Sequence, residues 1–169
     1  VFGDELHFRL KGNRLSIVPI DKLYDEIKKD FARASTGSRE GILDAAVGPV
    51  RGYVARYEVA KDRQMVSQGG RIGMATRLRL MAVKFEPLKE PHGQPIEKVI
   101  AESSQLDIEL AGRDPGSTTI TVWVYPDSFA SFRQLKEHLY AKGFATAVRP
   151  RETHEPIGIS VNGTDSNPQ

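Results

Sequence analysis

The chain has 169 residues, 39% hydrophobic and 27% charged, with 24 Lys/Arg against 22 Asp/Glu and a net charge of +2. Length and composition suit a single folded domain, 1–169, with a polar tail from about residue 162, and exclude a disordered chain. The lack of cysteine excludes disulfides, thiolate metal sites and a thiol nucleophile, and so small a net charge does not by itself imply nucleic acid.

The chain opens at Val1, without a methionine, a basic-then-apolar leader or an apolar run of the roughly 18 residues a membrane span needs. It therefore reads as excised from a longer chain, with any membrane tether expected upstream of Val1. Leu6, Phe8 and Leu10 alternate with polar residues, Gly12-Asn13 interrupts, and Leu15 and Ile17 resume. A two-residue loop there predicts a hairpin with Leu10 opposite Leu15 and Phe8 opposite Ile17. Pro19 ends the hairpin, and Asp21 reads as the N-cap of a helix reaching about Ala34, with Leu23, Ile27 and Phe31 as its apolar stripe and Tyr24 and Ala34 alongside. Gly37 stops it, and Ile42 to Val47 reads as one more helical turn before Gly48-Pro49.

Tyr53, Ala55, Tyr57 and Val59 predict a strand, followed by a turn through 61–73. In the run Met74 to Phe85, Leu78 and Leu80 share one parity, whereas Met81, Val83 and Phe85 share the other. A period-2 pattern changes parity only through an extra residue or a strong twist, so a bulge is predicted near Leu80 to Ala82. Pro87 to Pro95 reads as a loop, Ile96 to Leu106 as a helix, and Asp107 to Leu110 as a short edge strand. Arg113-Asp114-Pro115-Gly116 is a turn. Thr118 to Tyr125, rich in β-branched and aromatic residues, predicts a central strand. Asp127 or Ser128 then caps a helix from Phe129 to Lys142, with Phe132, Leu135 and Leu139 inward and Gly143 closing it. Phe144 to Val148 and Ile157 to Val161 complete the strands. The fold class predicted is α+β, a mixed, largely antiparallel sheet with two to three helices packed on one face.

Chemistry-bearing residues are scattered. His7, His92, His138 and His154 show no metal-ligand spacing and read as surface histidines. Gly69-Gly70-Arg71-Ile72-Gly73 lacks the following lysine and helix of a phosphate loop and reads as a hairpin loop. Pro126-Asp127 lacks the second acid and the lysine that a nuclease metal site needs. No serine sits in a nucleophile elbow. Asn162-Gly163-Thr164 matches a glycosylation acceptor in a polar tail. No catalytic, cofactor or metal residue is assigned, and no cofactor is expected.

Charge is uneven. Residues 49–84 hold eight Lys/Arg and two Asp/Glu, whereas 85–115 hold three Lys/Arg and seven Asp/Glu. Arg56, Arg77 and Arg79 are the candidate partner-binding residues. With Tyr53 and Tyr57 nearby they suggest a surface that tracks phosphates, but Tyr53 and Tyr57 share a parity opposite to Arg56.

The run Thr119-Ile120-Thr121-Val122-Trp123-Val124, then Ser131 to Leu139, then Gly143 to Val148, resembles the periplasmic domain of the ExbD/TolR family of energy-transducing accessory proteins of biopolymer transport. The opening, Phe8 through Ile17 into Asp21 to Phe31, resembles the start of such a domain. The resemblance covers about 70 residues at the two ends. It leaves residues 48–112 as an insertion and matches no mechanistic residue. It implies a dimeric binding unit without catalysis of its own, held on the periplasmic side of the inner membrane and partnered by another protein or by itself.

Three readings follow. The first is a non-catalytic periplasmic interaction or assembly domain of a membrane-tethered bacterial protein. The alternative is a cytoplasmic nucleic-acid-binding domain using the basic strands around 51–84. The third is an enzyme whose groups converge only in the folded chain.

Overall fold

The computed structural model describes residues 4–34, 37 and 40–160. The side chain of Ala34, residues Ser35, Thr36, Ser38 and Val161, and the tail with Asn162-Gly163-Thr164 lie outside the described residues. The α+β class holds, with the strands divided between two sheets. The chain forms two compact units, Val1–Pro19 with Lys89–Glu155 and Ile20–Leu88 with Pro156–Gln169.

In the first unit, Leu6, Phe8 and Leu10 lie on β1 (Asp4–Lys11), and Leu15 and Ile17 on β2 (Arg14–Val18). Leu10 pairs with Leu15 and Phe8 with Ile17, as the two-residue loop predicts. β7 (Thr118–Val124) runs parallel to β1 and sets Ile120, Val122 and Val124 beside Leu6, Phe8 and Leu10. The helix α4 (Phe129–Ala141) then connects to β8 (Ala145–Pro150), parallel to β7. A short β6 (Gln94–Pro95) completes the order β6-β2-β1-β7-β8. The apolar face packs on Leu135 and Leu139 of α4 and on Ile96, Val99, Leu106 and Leu110.

Three sequence expectations fail here. Ile96 to Leu106 is not one helix: α2 (Ile96–Val99) ends after one turn, and α3 (Gln105–Leu110) starts afresh. Ser103 takes a positive φ of 58°, and Ser104 Oγ accepts the Asp107 N–H at 3.2 Å, an N-cap that opens α3. The expected edge strand Asp107 to Leu110 is therefore helix. Neither Asp127 nor Ser128 caps α4 with its side chain. Asp127 instead accepts the Gly12 N–H at 3.0 and 3.1 Å, and Ser128 Oγ accepts the Asn13 N–H at 2.9 Å. The hairpin turn competes with the helix end for these oxygens and wins.

In the second unit, α1 (Ile20–Ala34) begins one residue before Asp21, which lies in its first turn. β3 (Gly41–Val50) replaces the helical turn expected over Ile42 to Val47. Its alanines have no strand preference of their own, but pairing with β4 (Tyr53–Gln68) satisfies the backbone and half-buries Leu43, Ala45 and Val47. β5 (Arg71–Pro87) and β9 (Ile157–Ser160) complete an antiparallel sheet of order β3-β4-β5-β9. α1 covers the face carrying Tyr53, Ala55, Tyr57, Val59, Val83 and Phe85. Phe31 lies against Tyr57 with centroids 5.9 Å apart, Tyr24 meets Phe85 edge-on at 6.0 Å, and the Tyr57 hydroxyl donates to the Asp30 carboxylate. Burial and that carboxylate raise the Tyr57 pKa, so the hydroxyl stays a donor.

Candidate functional site

The bulge is present. Glu58 pairs with Ala82 but Val59 with Leu80, so Met81 has no partner in the ladder. The extra residue sets the facing of everything between it and the hairpin turn. It puts Leu78 and Leu80 on the side of Val59, and Arg77 and Arg79 on the side of Arg56.

All three candidate arginines therefore share the face turned away from α1, while Tyr53 and Tyr57 are buried on the other. That face is not a cationic field. Arg56, Arg77, Arg79 and Lys84 are interleaved with Asp44, Glu58, Asp62 and Glu86. Arg56 Nε donates to Glu86 Oε2 at 3.1 Å. An open depression of about 420 Å³ there is lined by Asp44, Arg56, Glu58, Lys84 and Glu86 over Ala46 and Ala82. Carboxylates among the cations cancel the potential that a phosphate chain would follow.

The expected turn over 61–73 is a two-residue turn on a long arm. Among the described residues, β3 reaches β4 only as far as Lys61, and β9 pairs with β5 from Phe85 only as far as Ala82. Beyond those points, among the described residues, 62–68 and 71–77 pair only with each other, closed by Gly69-Gly70. Both glycines have positive φ, 60° and 79°, the conformation a tight two-residue hairpin requires. On the α1-side face of the arm Met65 pairs with Met74, and Ile72 with Ser67. Met65 is 72% exposed, Ile72 72% and Met74 63%. Sequence reasoning missed this patch, although Gly-Gly between chain segments carrying Met65 and Met74 was the available signal.

The histidines depart from the surface expectation, since only His154 is exposed. On β1, His7 Nδ1 accepts the Trp123 indole N–H at 3.1 Å, and Nε2 faces Glu5 Oε1 at 3.3 Å. Thr121 Oγ1 donates to the same carboxylate oxygen at 3.0 Å. The lone pair of the neutral ring is thus spent on an indole, which denies it to a substrate proton. Arg9 is buried, pairs with Glu90 and lies 5.7 Å from the Tyr125 ring, while Arg149 and Arg151 lie 5.0 and 4.9 Å from Trp123. Burial, with Arg9 close by, pushes the His92 pKa down. His138 Nε2 and Lys142 Nζ meet Asp107 Oδ1 at 3.1 and 3.3 Å, tying α4 to α3. Burial pushes the Asp107 pKa up, but hydrogen bonds from His138 and Lys142 outweigh it and hold the carboxyl below its usual range. Among the described residues, no group of three or more His, Asp or Glu could hold a metal ion. No described helix is long and apolar enough to cross a membrane.

The chain matches no protein-family model, no curated protein and no solved structure.

Proposed function

We propose that this chain is a non-catalytic protein-interaction domain that docks through the β4–β5 arm. One observation carries the reading: three large apolar side chains, Met65, Ile72 and Met74, stand together on one face of a two-stranded arm that pairs with no further strand among the described residues. Scattered exposed apolar residues are ordinary, but a contiguous patch on a projecting element is the mark of a docking surface. Isolated hairpins are marginal in water, so such an arm gains stability from a partner. The engaged side chains of His7, His138 and Asp107 support a structural role for the ionisable groups.

The proposal extends to a bacterial protein tethered in the inner membrane, with this domain on the periplasmic side, similar to ExbD/TolR domains. Its support is the opening hairpin-and-helix and the closing strand-helix-strand. The nucleic-acid reading is weaker, because four carboxylates accompany the five cations of the Arg56 face, Arg56, Arg71, Arg77, Arg79 and Lys84.

A photo-crosslinking amino acid in place of Met74, in the full-length protein in its own cells, tests the reading. It predicts a discrete protein adduct that is missing when the crosslinker replaces exposed Gly116. Adducts with lipid or nucleic acid alone, or none, would overturn it.

A further inference from the structure

We infer that the occupant of the arm's apolar face is the same face of a second copy of this chain. This deepens the interaction reading above and rests on it. The argument is the segregation of charge across the arm's two faces. On the apolar face the sequence of pairs is Arg63 with Thr76, Met65 with Met74, and Ser67 with Ile72. The one charge there, Arg63, is matched within its own chain by Glu40 at 3.2 Å. The reverse face carries Asp62 with Arg77, Gln64 with Ala75, Val66 with Gly73, and Gln68 with Arg71. Arg71 and Arg77 therefore point away from the Met65–Met74 pair.

An anionic surface, whether lipid or nucleic acid, would be drawn to the reverse face and leave Met65, Ile72 and Met74 in water. An apolar surface without net charge fits the other face, and the chain itself supplies one. Two arms laid face to face, about 10 Å apart, on a two-fold axis running across the strands place Met65 and Met74 on their counterparts. Ile72 then lies over Thr76 of the second copy, and Arg63 over Ser67 of the second copy. No like charges meet, and the arginines of both reverse faces stay in solvent. Joining the arms edge to edge along β5 is worse, since centring on Met74 sets Arg71 opposite Arg77 of the second copy.

Three apolar side chains per copy make a smaller contact than the about 800 Å² per partner of a standard interface, so the association is expected to be weak. Sedimentation velocity of the chain from low micromolar to millimolar concentration tests this. The double variant Met65→Thr/Met74→Thr keeps good strand formers in the arm, and Val66→Thr is the reverse-face control. Association weakened at least tenfold by the double variant, less than twofold by Val66→Thr, and unchanged by Arg77→Gln/Arg79→Gln supports the inference. Association lost in the arginine variant and kept in the methionine variant overturns it, because the contact would run through the cationic face. A wild-type chain monomeric throughout also overturns it. In that case a cellular adduct at Met74 with a different protein keeps the broader interaction reading, and no adduct removes both.

Discussion

Val59 lies opposite Leu80 although its neighbour Glu58 lies opposite Ala82, so β5 holds one residue more than the strand it pairs with. That residue, Met81, reconciles two alternating patterns, Leu78 and Leu80 on one side of it and Val83 and Phe85 on the other. Deleting Met81 leaves both inward sets in a single unbroken alternation against β4. The deletion is therefore expected to change unfolding free energy by less than about 1 kcal/mol. Deleting Lys84 instead turns Val83 or Phe85 outward, each 2% exposed, and costs about 1.5–3 kcal/mol. Urea denaturation of the two deletions checks the order, and equal losses would contradict the bulge assignment.

Asp127 and Ser128 hold the β1–β2 turn rather than the start of α4, and their removal separates the two roles. Asp127→Ala frees an exposed Gly12 N–H to water, for a loss of about 1 kcal/mol. Ser128 is fully buried, and its hydroxyl both accepts the Asn13 N–H and donates to Asp127 Oδ1, so Ser128→Ala loses two hydrogen bonds and costs more, about 1–3 kcal/mol. Chemical denaturation that finds Asp127→Ala the more damaging would restore the helix-capping role.

Asp107 links stability to acid. Its folded pKa lies below the ordinary 3.8, so the folded state holds fewer protons there than the unfolded chain. The resulting stabilisation is fully present above about pH 4–5 and is lost as pH falls through the folded pKa. Unfolding free energies of wild type and Asp107→Asn should differ by a constant amount near neutrality and converge in acid. A difference that persists unchanged to the acid limit of folding would rule out the His138–Asp107–Lys142 cluster as its source.

What could be read in advance followed period-2 alternation where one face meets a core. The hairpin register, the Thr118 strand and the bulge near Leu80 all follow from it. It failed where local signals were ambiguous. Ile42 to Val47 is strand only because β4 lies alongside, a long-range fact that alanines do not announce. Ser104 opens a new helix inside an apolar spacing that also fits a continuous one, and Ser-x-x-Asp was the overlooked cue. The arm's Gln, Ser, Arg and Gly residues show little alternation because neither of its faces is covered. Arg56, Arg77 and Arg79 were legible as a charge cluster, but their interleaving with Asp44, Glu58, Asp62 and Glu86 emerges only from strand pairing. The Met65–Met74 pair belongs to the same class, since its members are nine residues apart and neither is apolar context for the other until the turn closes.

Amide hydrogen exchange of the arm, 62–68 and 71–77, tests the central claim most directly. A bare two-stranded arm opens readily, whereas one seated against a second copy does so only after dissociation. The account predicts that protection of these amides rises as protein concentration passes through the dissociation constant, while that of Thr118–Val124 does not change. Arm protection independent of concentration would contradict it.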